Sequence, residues 1–185
     1  MRIDQQDAFD MNGRVIDYAE AMARAGRNAC PRLIHQWDME ALLGVEQLRK
    51  LLPDAWTGPE FPARALPHWY WVDLFRRAGF ISDTLAEVRE VMTIYRGAVP
   101  RWRKAMSWTV DLGRARWFAE RSAFFFHKCA RVYAAEIARG DVLAIFFNER
   151  PGEAEVVVDP GGLRNIRAVS PIVKPTEVRG ANDAV

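Results

Sequence analysis

Hydrophobic and polar positions change their rhythm near residue 90. Before it, apolar side chains recur every three or four residues, the repeat that lines one face of a helix. In NGRVIDYAEAMARAG, Val15, Ile16, Tyr18, Ala19 and Met22 follow that spacing and Gly26 stops it. DMEALLGVEQLRKLLPD repeats the pattern, with Asp38 as its predicted N-cap and Pro53 beyond its predicted end. Residues 53–67 hold four prolines and a glycine and predict a loop. PHWYWVDLFRRAGF predicts a short helix. Pro67 suits its start, Arg76 and Arg77 suit the negative end of its dipole, and Gly79 ends it. Either Trp69, Val72 and Phe75, or Trp71 and Phe75, form its packed face.

After residue 90 the chain reads as short strands around one helix. VMTIYRGA and AMSWTV predict strands, rich in β-branched and aromatic residues. Asp111 is placed to cap LGRARWFAERSAFFF, where Leu112, Ala115, Phe118 and Ala119 recur at helical spacing. ARVYAAEIA alternates and meets DVLAIFF at the Arg139-Gly140 turn. EAEVVVDP follows a Pro151-Gly152 turn, and LRNIRAVSPIV adds an edge strand. The expected fold class is therefore α+β. Residues 1–88 form a helical region packed on a core of residues 89–172, and 173–185 form a polar, mobile tail.

Composition narrows the class. The chain has 185 residues, 50% hydrophobic and 27% charged, which suits one packed domain or one with an appendage. A net charge of +2 does not by itself argue for nucleic-acid binding. Cys30 and Cys129 make no disulfide framework, and with no signal peptide the expected compartment is the cytoplasm. No apolar run reaches membrane-helix length, so no membrane partner is expected. His35, His68 and His127 are scattered; His127 lies two residues from Cys129, but the spacing gives no metal site. DPGGL lacks the spacing of a phosphate-binding glycine loop, and there is no Gly-x-Ser-x-Gly.

Three stretches carry candidate chemistry. Tyr95-Arg96-Gly97 closes a predicted strand, where an arginine can present its rigid fork to a phosphate and a glycine admits close approach to the backbone. In Ser107-Trp108-Thr109, strand alternation puts both hydroxyls on one face and Trp108 on the other. In Glu153-Ala154-Glu155, the same alternation predicts two carboxylates on one face, with Ala154, Val156 and Val158 on the opposite one. Two glutamates side by side repel each other, a cost that becomes useful where positive charge develops.

In this order, the three motifs resemble the arginine–serine–glutamate class of ADP-ribosyltransferases over residues 91–169. The resemblance implies a compact version of that class's split β-sheet core, with NAD as substrate and no metal. It makes Arg96 the residue that holds the phosphates and nicotinamide ribose. Ser107-Trp108-Thr109 corresponds to the Ser-Thr-Ser motif, with Ser107 steadying the site and orienting the glutamate. Glu155 becomes the catalytic glutamate and Glu153 the group that activates the acceptor. Gly97 and Thr109 join the NAD-binding set, and Trp117 or Phe118 would supply a wall for the nicotinamide. Arg121 and Arg150 are further candidates for phosphate or acceptor contacts.

The sequence departs from the family pattern in three places. Only residues 97–106 separate Arg96 from Ser107, where many members insert further elements; Trp replaces Thr in the middle of the second motif, and Thr replaces Ser at its end. In the family, Glu-x-Glu accompanies arginine acceptors, so a protein arginine is the favoured acceptor and a nucleic-acid base the second. NAD hydrolysis is the matching side reaction, and toxin or phage–bacterial conflict the matching context. The competing expectation is an inactive module of the same fold that binds NAD or a partner.

Overall fold

The structure is a computed structural model that describes residues 17–85, 87–149 and 152–175. The chain divides into two compact units, Met1–Ile81 and Ser82–Val185. Six α-helices and seven strands among the described residues make it an α+β protein. No helix among them is long and apolar enough to cross a membrane.

The first unit is helical: α1 (Tyr18–Ala25), α2 (Cys30–Met39), α3 (Val45–Thr57), α4 (Pro62–Ala65) and α5 (His68–Ala78). The Asp17 carboxylate caps α1 by accepting the Glu20 N–H at 2.9 Å, and Gly26 ends the helix at φ 77°. Residues 12–16 of the predicted first helix lie outside the described residues.

The first unit departs from the sequence pattern at three points. Asp38 caps nothing; it sits in the last turn of α2, a helix the pattern did not single out, and Gly44 stands at the N-cap of α3. Pro53 lies inside α3 rather than beyond it. The loop expected over 53–67 is interrupted by the end of α3 and by α4. Burial explains the second point. Leu48, Leu51, Leu52, Ala55 and Trp56 hold one buried face across the proline. Burying each of the large ones is worth roughly 1.5–3 kcal/mol, and together they outweigh a helix-interior proline at about 3 kcal/mol.

The unit's core is aromatic. Trp56 meets Trp71 edge-on with centroids 5.1 Å apart and Phe75 at 5.6 Å, and all three rings are fully buried. The packed face of α5 is thus the Trp71–Phe75 pair, while Trp69 is exposed. The buried Trp71 indole donates to the Pro62 carbonyl at 3.2 Å. A polar knot also ties α2 to α5: Asp38 accepts the Tyr70 hydroxyl at 2.5 Å and both Arg77 Nη groups at 2.6 and 3.1 Å. The Arg77 guanidinium bonded to Asp38 holds that carboxyl below the usual carboxylate range, against the effect of burial. Burial, and then Asp38, push the Tyr70 phenol up.

The second unit contains β2 (Val91–Ala98), β3 (Ser107–Thr109), helix α6 (Leu112–Phe126), β4 (Arg131–Ala138), β5 (Val142–Phe146), β6 (Glu155–Val158) and β7 (Arg164–Ala168). The two-residue β1 (Ile81–Ser82) straddles the unit boundary. The sheet order is β1-β5-β6-β3-β2-β4-β7. Strands β2 through β7 pair antiparallel. β7 is an edge strand, with a register shift against β4 between Ala134 and Glu136 and with Asn165 at φ 52°.

One sheet face carries a core of Ile94, Trp108, Tyr133, Ile137, Ile145, Val156 and Val158. On the other face, Val99 and Val132 pack with Ala115, Ala119 and Ala123 of α6. Those alanines recur every four residues, so the middle of α6 presents methyl groups to the sheet, with Leu112 and Phe126 packing at its two ends. Beneath them lies Gly97, where a Cβ would overlap the Ala115 carbonyl oxygen and the Ala119 nitrogen. The Asp111 carboxylate caps α6 by accepting the Arg114 N–H at 3.0 Å, as its position predicts.

Candidate functional site

The sheet order brings the three motifs onto three adjacent strands, β2, β3 and β6. Tyr95 lies opposite Thr109, and Thr109 lies opposite Glu155. Ser107 lies opposite Val157 on the same pair of strands. Alternation then places Ser107, Thr109 and Glu155 on one face, the face that α6 covers at Gly97. Trp108 takes the other face and joins its core. Arg96, next to Tyr95 on β2, also starts from that other face.

The two glutamates do not share a strand face. β6 begins at Glu155; Glu153 sits in the preceding turn, and Ala154 between them has φ 45°. Strand alternation therefore never applies across Glu153-Ala154-Glu155. With Gly152 at φ 79°, two of the three residues before the strand are left-handed. Glycine takes this conformation freely; alanine takes it at a cost of about 1–2 kcal/mol.

Several contacts hold that turn in place. The Thr109 hydroxyl donates to the Glu153 carbonyl at 2.7 Å and accepts the Asp111 N–H at 3.0 Å. Val110 N–H donates to the Ala154 carbonyl at 3.3 Å. From α6, Arg114 Nε donates to the Gly152 carbonyl. On the upstream side, the Asp83 carboxylate accepts the N–H groups of Phe147, Asn148 and Glu149 at 2.8–2.9 Å. No motif points to Arg114 or Asp83, and the alternation pattern reads Ala154 as an ordinary strand position. Their work is done through backbone groups distant in the chain, which no spacing rule connects.

Arg96 spends two donors on its own neighbourhood. Its Nε donates to the Trp102 carbonyl at 3.0 Å and its Nη1 to the Ser107 carbonyl. The side chain thereby pins the β2–β3 connection from within. Burial pulls its guanidinium down to about 10, and the Glu155 carboxylate acts in the opposite direction. Glu155 itself is 2% exposed and Thr109 nearly as buried. Half-buried Arg96 thus carries its charge near a fully buried carboxylate, which partly offsets the effect of burial on the guanidinium.

Gly97 does admit a close approach, and the group that approaches is α6. Its carbonyl faces Ser122 Oγ at 3.4 Å. On α6, Trp117 is half-exposed and carries Arg114 and Arg121 at 5.0 and 5.6 Å from its ring centre. Phe118, half-buried, meets Trp117 edge-on at 5.0 Å. Arg150 lies outside the described residues. Among those residues no group of three or more His, Cys, Asp or Glu side chains is placed to hold a metal ion.

Comparison with protein-family models, with curated proteins and with solved structures gives no significant match.

Proposed function

We propose that the second unit transfers ADP-ribose from NAD to a macromolecular acceptor and releases nicotinamide. One observation carries the reading: the register Tyr95–Thr109–Glu155, which sets the arginine, serine–threonine and glutamate motifs on neighbouring strands. Their order in the sequence alone did not require that placement.

In this reading, the bond from the ribose carbon to nicotinamide breaks and its electrons leave with the ring. Positive charge grows on the ribose, and the Glu155 carboxylate stabilises it while hydrogen-bonding a ribose hydroxyl. Glu153 takes the proton of the acceptor nucleophile, which bonds to the ribose carbon. Arg96 neutralises the diphosphate, Ser107 and Thr109 fix the glutamate segment, and Trp117 or Phe118 flanks the nicotinamide. The motif resemblance favours an arginine of a protein as acceptor. The same chemistry extends to a nucleic-acid base, or to water in NAD hydrolysis.

A second reading has its own observation. Arg96 and Thr109 both spend their side chains on backbone groups, and α6 fills the space over Gly97. Such a cluster also suits a module of this fold that binds NAD or a partner without turnover.

Nicotinamide release from NAD separates the two. The transferase reading expects release by the wild type and a loss of about 10²–10⁴-fold in Glu155→Gln, which keeps the shape and removes the charge. Equal release by that variant, or no heat of NAD binding in calorimetry, would overturn it. Binding without release would select the second reading.

A further inference from the structure

The outer face of α6 departs from the charge balance of the rest of the chain. Residues 100–128 carry seven Lys and Arg against two acids, so the remainder is net negative although the whole is +2. The aromatic residues of this stretch that reach solvent stand among those cations. Trp117 is 45% exposed, Phe124 50% and Phe125 54%.

Arginines and rings interleave along the helix. Arg114 and Arg121 lie over Trp117, and Arg121 also lies 5.1 Å from the centre of Phe125. Phe125 meets Phe124 edge-on at 5.6 Å. A second strip starts at Phe126, next in the chain after Phe125 but on the side of α6 that packs on the sheet. Arg101 lies over Trp102 at 5.3 Å, and Trp102 packs edge-on against Phe126 at 4.4 Å. Exposed Arg103 and Lys104 follow Trp102, and exposed His127 and Lys128 follow Phe126. A guanidinium held over a ring keeps its in-plane donors directed outward, and its side chain has less freedom left to lose on meeting a phosphate.

We propose that this face binds single-stranded nucleic acid, its arginines taking phosphates and its exposed rings stacking on bases. Cations alone would suit any polyanion. Three exposed rings set among them favour a chain whose anionic backbone carries unpaired flat bases, because a duplex hides its base faces. An acidic protein offers the charge without the flat partners. The inference does not rest on the transferase reading, since it needs neither NAD nor Glu155.

The test is fluorescence anisotropy with labelled oligo-dT of about 20 nucleotides, longer than a typical single-strand site. The assay contains no NAD and runs over a salt series. The competitors are a duplex of equal length and polyglutamate. We expect binding that weakens with salt and is poorly competed by either. Phe124→Ala/Phe125→Ala should weaken it about tenfold or more. Arg101→Ala/Arg103→Ala should make the logarithmic salt slope shallower by about 1.4, two phosphate contacts' worth. All four positions are outside the proposed catalytic set, and unchanged thermal unfolding confirms that the variants fold. Glu155→Gln should bind like the wild type, so failure of the transferase reading leaves this result standing. Three results would each overturn the proposal: no binding at low salt, equal competition by duplex or polyglutamate, or no effect of the ring pair.

Discussion

The two units bury a helix by opposite means. In the first, α5 packs through large rings: Trp71 and Phe75 fill space around Trp56. In the second, α6 packs through methyl groups, and the sheet answers with a residue that has no side chain at all. A ring-filled contact fails when atoms are removed. A backbone-close contact fails when atoms are added. One chain thus holds two kinds of fragility, each invisible to the mutation that exposes the other.

Deleting a ring should have the largest effect. Trp71→Ala empties a fully buried site and costs the Pro62 hydrogen bond; the expected loss is about 3–5 kcal/mol, read as a fall in the urea midpoint. The opposite change follows. Gly97→Ala adds one methyl group where it meets helix backbone, which cannot rotate away, so about 3 kcal/mol is expected. Stability equal to wild type in Gly97→Ala would show that α6 does not lie as close as described.

A smaller effect tests the polar side of the first unit. Asp38 titrates below its unfolded value of about 3.9 because Arg77 hydrogen-bonds it. Its contribution is therefore present above about pH 4 and lost as pH falls through the lower folded pKa. Asp38→Asn should cost about 1–3 kcal/mol at pH 7 and flatten the acid limb of the stability curve. An unchanged acid limb in urea titrations would remove Asp38 from that role. The smallest effect has the opposite sign. Ala154→Gly relieves a left-handed alanine and should raise stability by up to about 1 kcal/mol, seen as a higher melting temperature.

The second unit was the more legible in sequence. Strands β2, β4 and β5 showed their β-branched runs, although β4 and β5 do not pair with each other, and Asp111 marked the start of α6. Local chemistry decides those features, so a local pattern reports them. Helix α2 and the continuation of α3 past Pro53 depend on burial supplied by other helices, which a proline count cannot register. The candidate site divides the same way. Ser107, Thr109 and Trp108 followed strand alternation, whereas Glu153 did not, because Ala154 turns the backbone before the strand begins. Thr109's attachment to Glu153 spans 44 residues of sequence and only appears once β3 and β6 are neighbours.

The outer strand β7 bears on how copies of this protein treat one another. An edge strand offers unpaired backbone groups as a template for a further strand. Here that edge carries Arg164 and Arg167, breaks register beside Glu136, and bends at Asn165, whose amide is tied to the Glu136 carboxylate at 2.7 Å. Like charges would face each other across any added copy, and a bent strand offers no straight ladder to extend. This edge of the sheet is built to resist pairing with another copy.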